Sequence, residues 1–197
     1  MDENSRGLRF RGTFGHTEPL GNVDHTFVKG RVYALTGPNG CGKSTLLYTL
    51  AGQLAPLDGG GTVDGDAVTS RAALGKIELV DAPRFLPDLS ISEHFDLIHT
   101  DAQDDVDELV ELWALEDLIP CPPSQLSSGQ RQRVFLALQM IPDVEFVLFD
   151  EPERHLDADW VRFLAIKLRV LADRGPGVIV ATHSPVLVAA ADEEIRL

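Results

Sequence analysis

The sequence predicts an α/β fold with a mostly parallel sheet, and three observations carry that expectation. Short apolar runs alternate with longer stretches of helical period, with glycines punctuating the joins, which is the pattern of strands linked by crossover helices. The first such strand and helix are joined by the glycine-rich segment Gly37-Pro38-Asn39-Gly40-Cys41-Gly42-Lys43-Ser44. A later apolar run, Phe146-Val147-Leu148-Phe149, ends on two acids, Asp150 and Glu151.

Taken in order, Arg31 to Thr36 reads as a buried strand, 37–42 as a glycine loop, and Lys43 to about Gln53 as a helix, because apolar and polar residues alternate there with helical period. Gly59-Gly60-Gly61 marks a turn and Ile77-Glu78-Leu79-Val80 a strand. Residues 91–118 read as two short helices with apolar positions at Leu109, Leu112, Trp113 and Leu115. The second half repeats the logic: a helix near 128–140, the strand at 146–149, a helix over 158–172, the strand Val178 to Ala181, then a last helix and strand. No repeat or low-complexity linker divides the chain, so a single domain over 1–197 is expected.

Composition narrows the function classes. Of 197 residues, 44% are hydrophobic, enough for one well-buried core. No run reaches the roughly 18 apolar residues of a membrane span, and Met1-Asp2-Glu3-Asn4 carries no basic-then-apolar leader, which predicts a cytoplasmic chain. Cys41 and Cys121 form no metal-ligand spacing and read as reduced thiols. The net charge of −14 repels a polyanionic backbone, so no direct nucleic-acid partner is expected. Acids crowd one stretch, Asp101, Asp104, Asp105, Asp107, Glu108, Glu111, Glu116 and Asp117, which reads first as a solvated helix face.

The segment 37–44 fits G-x-x-x-x-G-K-[ST] in its confirming context, between a strand and a helix. Glycines permit positive φ and turn backbone N–H groups onto phosphate oxygens, and the following helix adds its N-terminal dipole. Lys43 is expected to reach the β and γ phosphates, and Ser44 to offer its hydroxyl to Mg²⁺. Thr45 continues the phosphate-binding turn. Asp150, at the carboxyl end of its strand, belongs near the metal. Glu151 follows it and is placed to polarise a water for in-line attack.

Leu126-Ser127-Ser128-Gly129-Gln130-Arg131-Gln132-Arg133 closely resembles the LSGGQ signature of ATP-binding-cassette proteins, and the remaining cassette motifs follow in order over nearly the whole chain. The resemblance implies a phosphate-loop NTPase core with a small antiparallel β region and a short helical subdomain at about 88–127. It implies ATP and Mg²⁺ as cofactors and a face-to-face dimer in which Ser127, Gly129 and Gln130 of one subunit close on the nucleotide of the other. Asp157 is similar to the aspartate that communicates across that dimer. His183 in Ala181-Thr182-His183-Ser184 resembles the switch histidine on the γ phosphate. Phe14 stands where the family stacks an aromatic on adenine, with core packing as the alternative.

Some residues depart from the family pattern. Ser128 replaces the third signature residue. Asp81 stands where the resemblance places the family's Q-loop glutamine, judged from the following Pro83 and Phe85-Leu86-Pro87-Asp88-Leu89, and is expected to be a direct or water-mediated Mg²⁺ ligand, with a carboxylate pointing toward the partner subunit as the alternative. Glu151-Pro152-Glu153-Arg154-His155-Leu156 and Thr182-His183-Ser184-Pro185 lean toward soluble relatives. The leading expectation is the ATP-hydrolysing subunit of a transporter at the cytoplasmic face of a membrane, paired with a second cassette and a transmembrane permease subunit. The alternatives are a soluble cassette ATPase acting on another protein or DNA, and a non-catalytic regulatory cassette.

Overall fold

The structure is a computed structural model that describes residues 7–98, 103–140 and 143–197. Strands β1 (Leu8–Gly15), β2 (Pro19–Phe27), β4 (Asp58–Val63) and β5 (Asp66–Ala67) pair antiparallel in the order β2-β1-β4-β5. Strands β3 (Val32–Thr36), β6 (Ile77–Val80), β7 (Phe146–Asp150), β8 (Gly177–Ala181) and β9 (Glu193–Arg196) form a parallel sheet in the order β6-β7-β8-β3-β9.

The parallel sheet is covered on both faces, which is why its central strands are continuously apolar. Successive side chains of β7 and β8 go to opposite sides. Val147, Phe149, Val178 and Val180 enter one core with helices α4 (Ser128–Leu138) and α5 (Ala158–Asp173), through Val134, Leu138, Leu164, Leu168 and Leu171. Phe146, Leu148, Ile179 and Ala181 enter the other, with helix α1 (Lys43–Leu50) and the antiparallel sheet, through Leu46, Leu47, Leu50, Leu8 and Phe10. Each such Leu or Phe stabilises the fold by about 1.5–3 kcal/mol relative to exposure.

Helix α1 ends at Leu50, three residues before the expected Gln53, because Gly52 turns left-handed (φ 71°) against the Val68 carbonyl. Gly59-Gly60-Gly61 is not a turn. It lies inside β4, opposite Gly12, Arg11 and Phe10 of β1, and the glycines serve close backbone approach: a Cβ on Gly59 would stand 2.1 Å from the Arg11 carbonyl oxygen. Helix α5 starts at the expected residue because Asp157 caps it, accepting from Asp159 N at 3.0 Å and Trp160 N at 2.9 Å.

Helices α2 (Ile91–Ile98) and α3 (Gln103–Leu112) join the first core through Ile91, Phe95, Val106 and Leu109, and the fully buried Trp113 follows just beyond α3. Trp113 stacks on Trp160 at 6.1 Å between centroids, and Arg133 lies over Trp160 while donating to the Trp113 carbonyl at 3.2 Å. Asp107, Glu108, Glu111, Glu116 and Asp117 are exposed, as a solvated face requires. Asp101 lies outside the described residues, as do the side chains of Asp104 and Asp105. Helix α6 (Pro185–Ala190) completes the layer.

Candidate nucleotide-binding site

Because β6, β7, β8 and β3 are neighbours and parallel, their carboxyl ends lie along one edge of the sheet. Four segments that are far apart in sequence meet there: Asp81 after β6, Asp150 and Glu151 at the end of β7, Thr182 and His183 after β8, and the glycine loop after β3.

The loop is left-handed at Gly40 (φ 80°) and Gly42 (φ 100°), with Gly37 at φ 148°. Its two ends are packed and its middle is open. A Cβ on Gly37 would stand 2.7 Å from Cys41 Sγ, and one on Gly42 2.7 Å from the Phe14 ring, whereas one on Gly40 would meet nothing within 4 Å. Pro38, Asn39 and Gly40 are exposed. Lys43 is only 6% exposed, and its ammonium donates to the carbonyls of Gly37 at 3.1 Å and Pro38 at 3.4 Å. No side chain caps α1. Its first-turn N–H groups, among them those of Ser44 and Thr45, therefore offer donors and a positive dipole end to an anion.

Asp150 is largely buried, and burial pushes its carboxyl above the usual range. The charges of Glu151 and Asp81 add to that rise, and a hydrogen bond from Ser44 opposes it. Its Oδ1 is buried without a hydrogen-bond partner. A hydroxyl and an uncompensated carboxylate oxygen side by side suit a hard divalent cation, and the cation would lower the cost of that buried charge. Among the described residues no group of three or more His, Cys, Asp or Glu side chains is arranged to hold a metal ion by itself.

Glu151 has φ 48°, and its N–H donates to the Ala181 carbonyl at 2.9 Å. Its carboxylate pairs with Arg154, and its Oε1 lies 3.7 Å from His183 Nε2. Asp81 sits in a network of its own. It accepts from the Tyr48 hydroxyl at 2.7 Å, from Ala82 N at 2.6 Å and from Arg84 at 2.7 Å. Burial would raise its carboxyl, but those three donors outweigh it and hold the group below the usual range. Both of its oxygens are thus engaged by protein donors, so the expected ligand role at Asp81 meets a carboxylate already tied to α1 and Arg84.

Phe14 is a correction. Its ring is fully buried, wedged against Gly21 and Gly42, and it offers no face to a base. The core alternative is the one its packing supports, because the small size of both glycines admits the ring beneath the loop. The exposed apolar side chain beside Gly42 is Leu20, 42% exposed, which no sequence motif singles out.

In the signature, Ser127 and Gln130 form a reciprocal cap on α4. Gln130 N donates to Ser127 Oγ at 3.2 Å and Ser127 N to Gln130 Oε1 at 2.8 Å. Gly129 lies against the turn that follows Glu151: a Cβ there would stand 3.0 Å from the His155 carbonyl oxygen. Gln132, buried, donates to the Pro152 carbonyl at 2.9 Å. A cavity of about 470 Å³ opens beside the signature, lined by Phe85, Pro123, Ser128, Arg131 and His155 among others. Sequence reading gave no site role to Tyr48, Arg84, Glu153 or Arg154; Tyr48 and Glu153 act where separate segments meet, and Arg84 and Arg154 pair with acids three residues before them.

A family model described as ABC transporter matches residues 20–154. The chain is 32% identical over 170 residues to the Fe(3+) ions import ATP-binding protein FbpC of Vibrio cholerae serotype O1, covering 82% of this chain and 48% of that one. It is 30% identical over 183 residues to the Nod factor export ATP-binding protein I of Bradyrhizobium diazoefficiens, covering 88% and 60%. The chain thus spans about half the length of the curated relatives it matches. Among solved structures, one described as an ABC transporter ATP-binding protein from Pyrococcus furiosus has a TM-score of 0.86 at 24% identity over 96% of each chain. A bacterial ABC transporter cassette solved as a dimer has a TM-score of 0.82 at 23% identity, covering 96% and 94%. At those identities the likeness is one of fold.

Proposed function

From the premise that this chain belongs to the ABC transporter family, we propose that it binds and hydrolyses ATP as the motor subunit of a transporter. It works as a face-to-face dimer with a second copy or a relative and drives a separate transmembrane subunit at the cytoplasmic face of a membrane. The observation that carries the reading is the meeting of Lys43, Ser44, Asp150, Glu151 and His183 at one sheet edge, with Asp150 Oδ1 buried and unpartnered. Among the described residues no helix is long and apolar enough to cross a membrane, which fits a motor that acts on a separate span. Relatives named for import and for export stand at similar identity, as expected where the membrane partner selects the cargo.

In this reading the glycine-loop and α1 N–H groups hold the phosphates, and Lys43 turns from the loop carbonyls to the β and γ oxygens. Ser44 and Asp150 would hold Mg²⁺, which supplies charge neutralisation on the β and γ oxygens. Glu151 accepts a hydrogen bond from the attacking water and takes its proton as the water oxygen bonds to the γ phosphorus and the bond from that phosphorus to the β–γ bridging oxygen breaks, leaving ADP and phosphate. His183, beside Glu151, contacts the γ phosphate. Ser127, Gly129 and Gln130 act at the site of the opposite subunit, where the N-terminus of α4 meets the phosphates.

The test is Glu151→Gln, which removes the base and keeps the shape. ATP affinity is expected to stay within about threefold of the parent while turnover falls by about 10²-fold or more. The stalled chain is expected to shift from monomer to dimer mass on adding ATP, read by light scattering. Turnover at the parental rate would sink the assignment of Glu151.

A further inference from the structure

Residues 151–156 form a tight turn between β7 and α5, and two carboxylates of that turn converge on the segment after β8. Glu151 faces the His183 imidazole at 3.7 Å. Glu153 holds the backbone that carries it. Its Oε1 accepts from the Thr182 hydroxyl, from His183 N at 3.0 Å and from Ser184 N at 3.2 Å. Thr182 is 1% exposed, and its hydroxyl oxygen accepts in turn from Ser184 N at 2.9 Å.

Residues 182–184 belong to no strand or helix: the Thr182 N–H donates to the Leu35 carbonyl of β3 at 3.1 Å, but those of His183 and Ser184 have no ladder to join and, without Glu153, would be left to water and, for Ser184, to the Thr182 hydroxyl. One anionic oxygen collects three donors there, and hydrogen bonds to a charged acceptor are about twice as strong as neutral ones. Glu153 Oε2 is buried without a partner, so the support for this carboxylate comes from the Oε1 side. The turn is itself braced from α4, by Gln132 on the Pro152 carbonyl and by the close approach of Gly129 to His155.

We propose that Glu153 is a positioning residue: it acts through His183, fixing residues 182–184 so that the imidazole stands against Glu151 and the phosphate site. Its effect on rate rests on the ATP-hydrolysis reading above, whereas its effect on the loop rests on the hydrogen bonds alone.

The test compares Glu153→Ala, which removes the acceptor, with Glu153→Gln, which keeps an oxygen in the same place. In the alanine variant kcat is expected to fall at least about tenfold, since misplacing a reacting group by about 1 Å costs up to about 10²-fold. ATP affinity is expected to remain within about twofold of the parent. Amide hydrogen exchange at His183 and Ser184 is expected to accelerate by about tenfold or more, and the glutamine variant to recover most of both properties. In a His183→Ala background, Glu153→Ala is expected to cost no further rate, because the two act as one unit. Unchanged kcat and exchange in Glu153→Ala, or losses from Glu153 and His183 that multiply, would overturn the proposal. If Glu153→Ala does not fold, Glu153→Asp, one methylene shorter, is read by the same measurements. A parental chain that binds ATP without hydrolysing it would defeat the hydrolysis reading instead, and exchange at the two amides would still decide whether Glu153 holds the loop.

Discussion

At the residue scale, single side chains are legible in the sequence when a motif names them and hidden when a contact does. Lys43, Ser44, Asp150 and Glu151 stand where the spacing of their motifs predicts. The roles expected of Asp81 and Phe14 depend on contacts that no motif reports: Tyr48 and Arg84 for one, Gly21 and Gly42 for the other. Gly42 shows what such a neighbour imposes. It caps α1 at φ 100°, and a Cβ would press 2.7 Å from the Phe14 ring. Gly42→Ala is expected to cost about 1–3 kcal/mol in backbone strain, a fall in Tm of about 3–10 °C for a chain of this length. ATP affinity should drop with it, as the loop shifts away from its ligand. Thermal melts and equilibrium binding check both, and an unchanged Tm would show that the loop does not need glycine there.

At the scale of elements, hydropathy patterns specify strands well where both faces are buried, and poorly where glycine is used for approach. The apolar runs of β7 and β8 announce themselves, whereas Gly59-Gly60-Gly61 reads as a turn because nothing local reports β1 lying alongside. Element junctions are held by pairs equally invisible in sequence. Asp192 Oδ2 accepts from Val32 N at 2.8 Å and from Arg169 at 2.6 Å, while Arg169 also donates to the Gly30 carbonyl at 2.8 Å, tying α5 and the entry to β9 onto the start of β3. The Val32 N–H lowers the Asp192 carboxyl most, burial opposes it next, and the hydrogen bond and charge of Arg169 then hold the group below its usual value. A depressed folded value means that this stability is fully present above the unfolded carboxyl pKa of about 3.9 and is lost as pH falls through the folded value. Asp192→Asn is therefore expected to lower Tm at pH 7 by about 2–4 °C, equivalent to about 1 kcal/mol or less because solvent screens the pair. The difference from the parent should shrink as pH falls below about 3.9 and through the folded value. A pH-independent difference would assign the effect to packing rather than to charge.

At the scale of the whole molecule, the signature and the glycine loop are separate constructions. Ser127 and Gln130 spend their hydrogen bonds on the cap of α4, and the loop packs on Phe14 and Leu20. A dimer that joins the signature of one chain to the loop of another makes a concrete prediction. Lys43→Ala and Ser127→Arg chains, each inactive alone, should recover up to about one quarter of parental turnover when mixed, since half of randomly paired dimers are mixed and each rebuilds one of two sites. Light scattering must show the mixed dimers form, and no recovery with them present would remove the trans arrangement. Loss of the Ser127 cap alone costs about 1 kcal/mol, so melts of the arginine variant separate folding from function. The sequence by itself determined the parallel α/β class, the phosphate loop, the acid pair and the signature, because each is a local pattern whose chemistry requires those residue types at that spacing. Only the tertiary structure decided that Phe14 supports the loop from beneath, that Asp81 is engaged by Tyr48 and Arg84, and that Glu153 holds the backbone of His183. Those contacts join β1 to α1, β6 to α1, and the turn after β7 to the end of β8. The strand order that creates them is set by the global burial of two apolar faces, which no window of sequence contains.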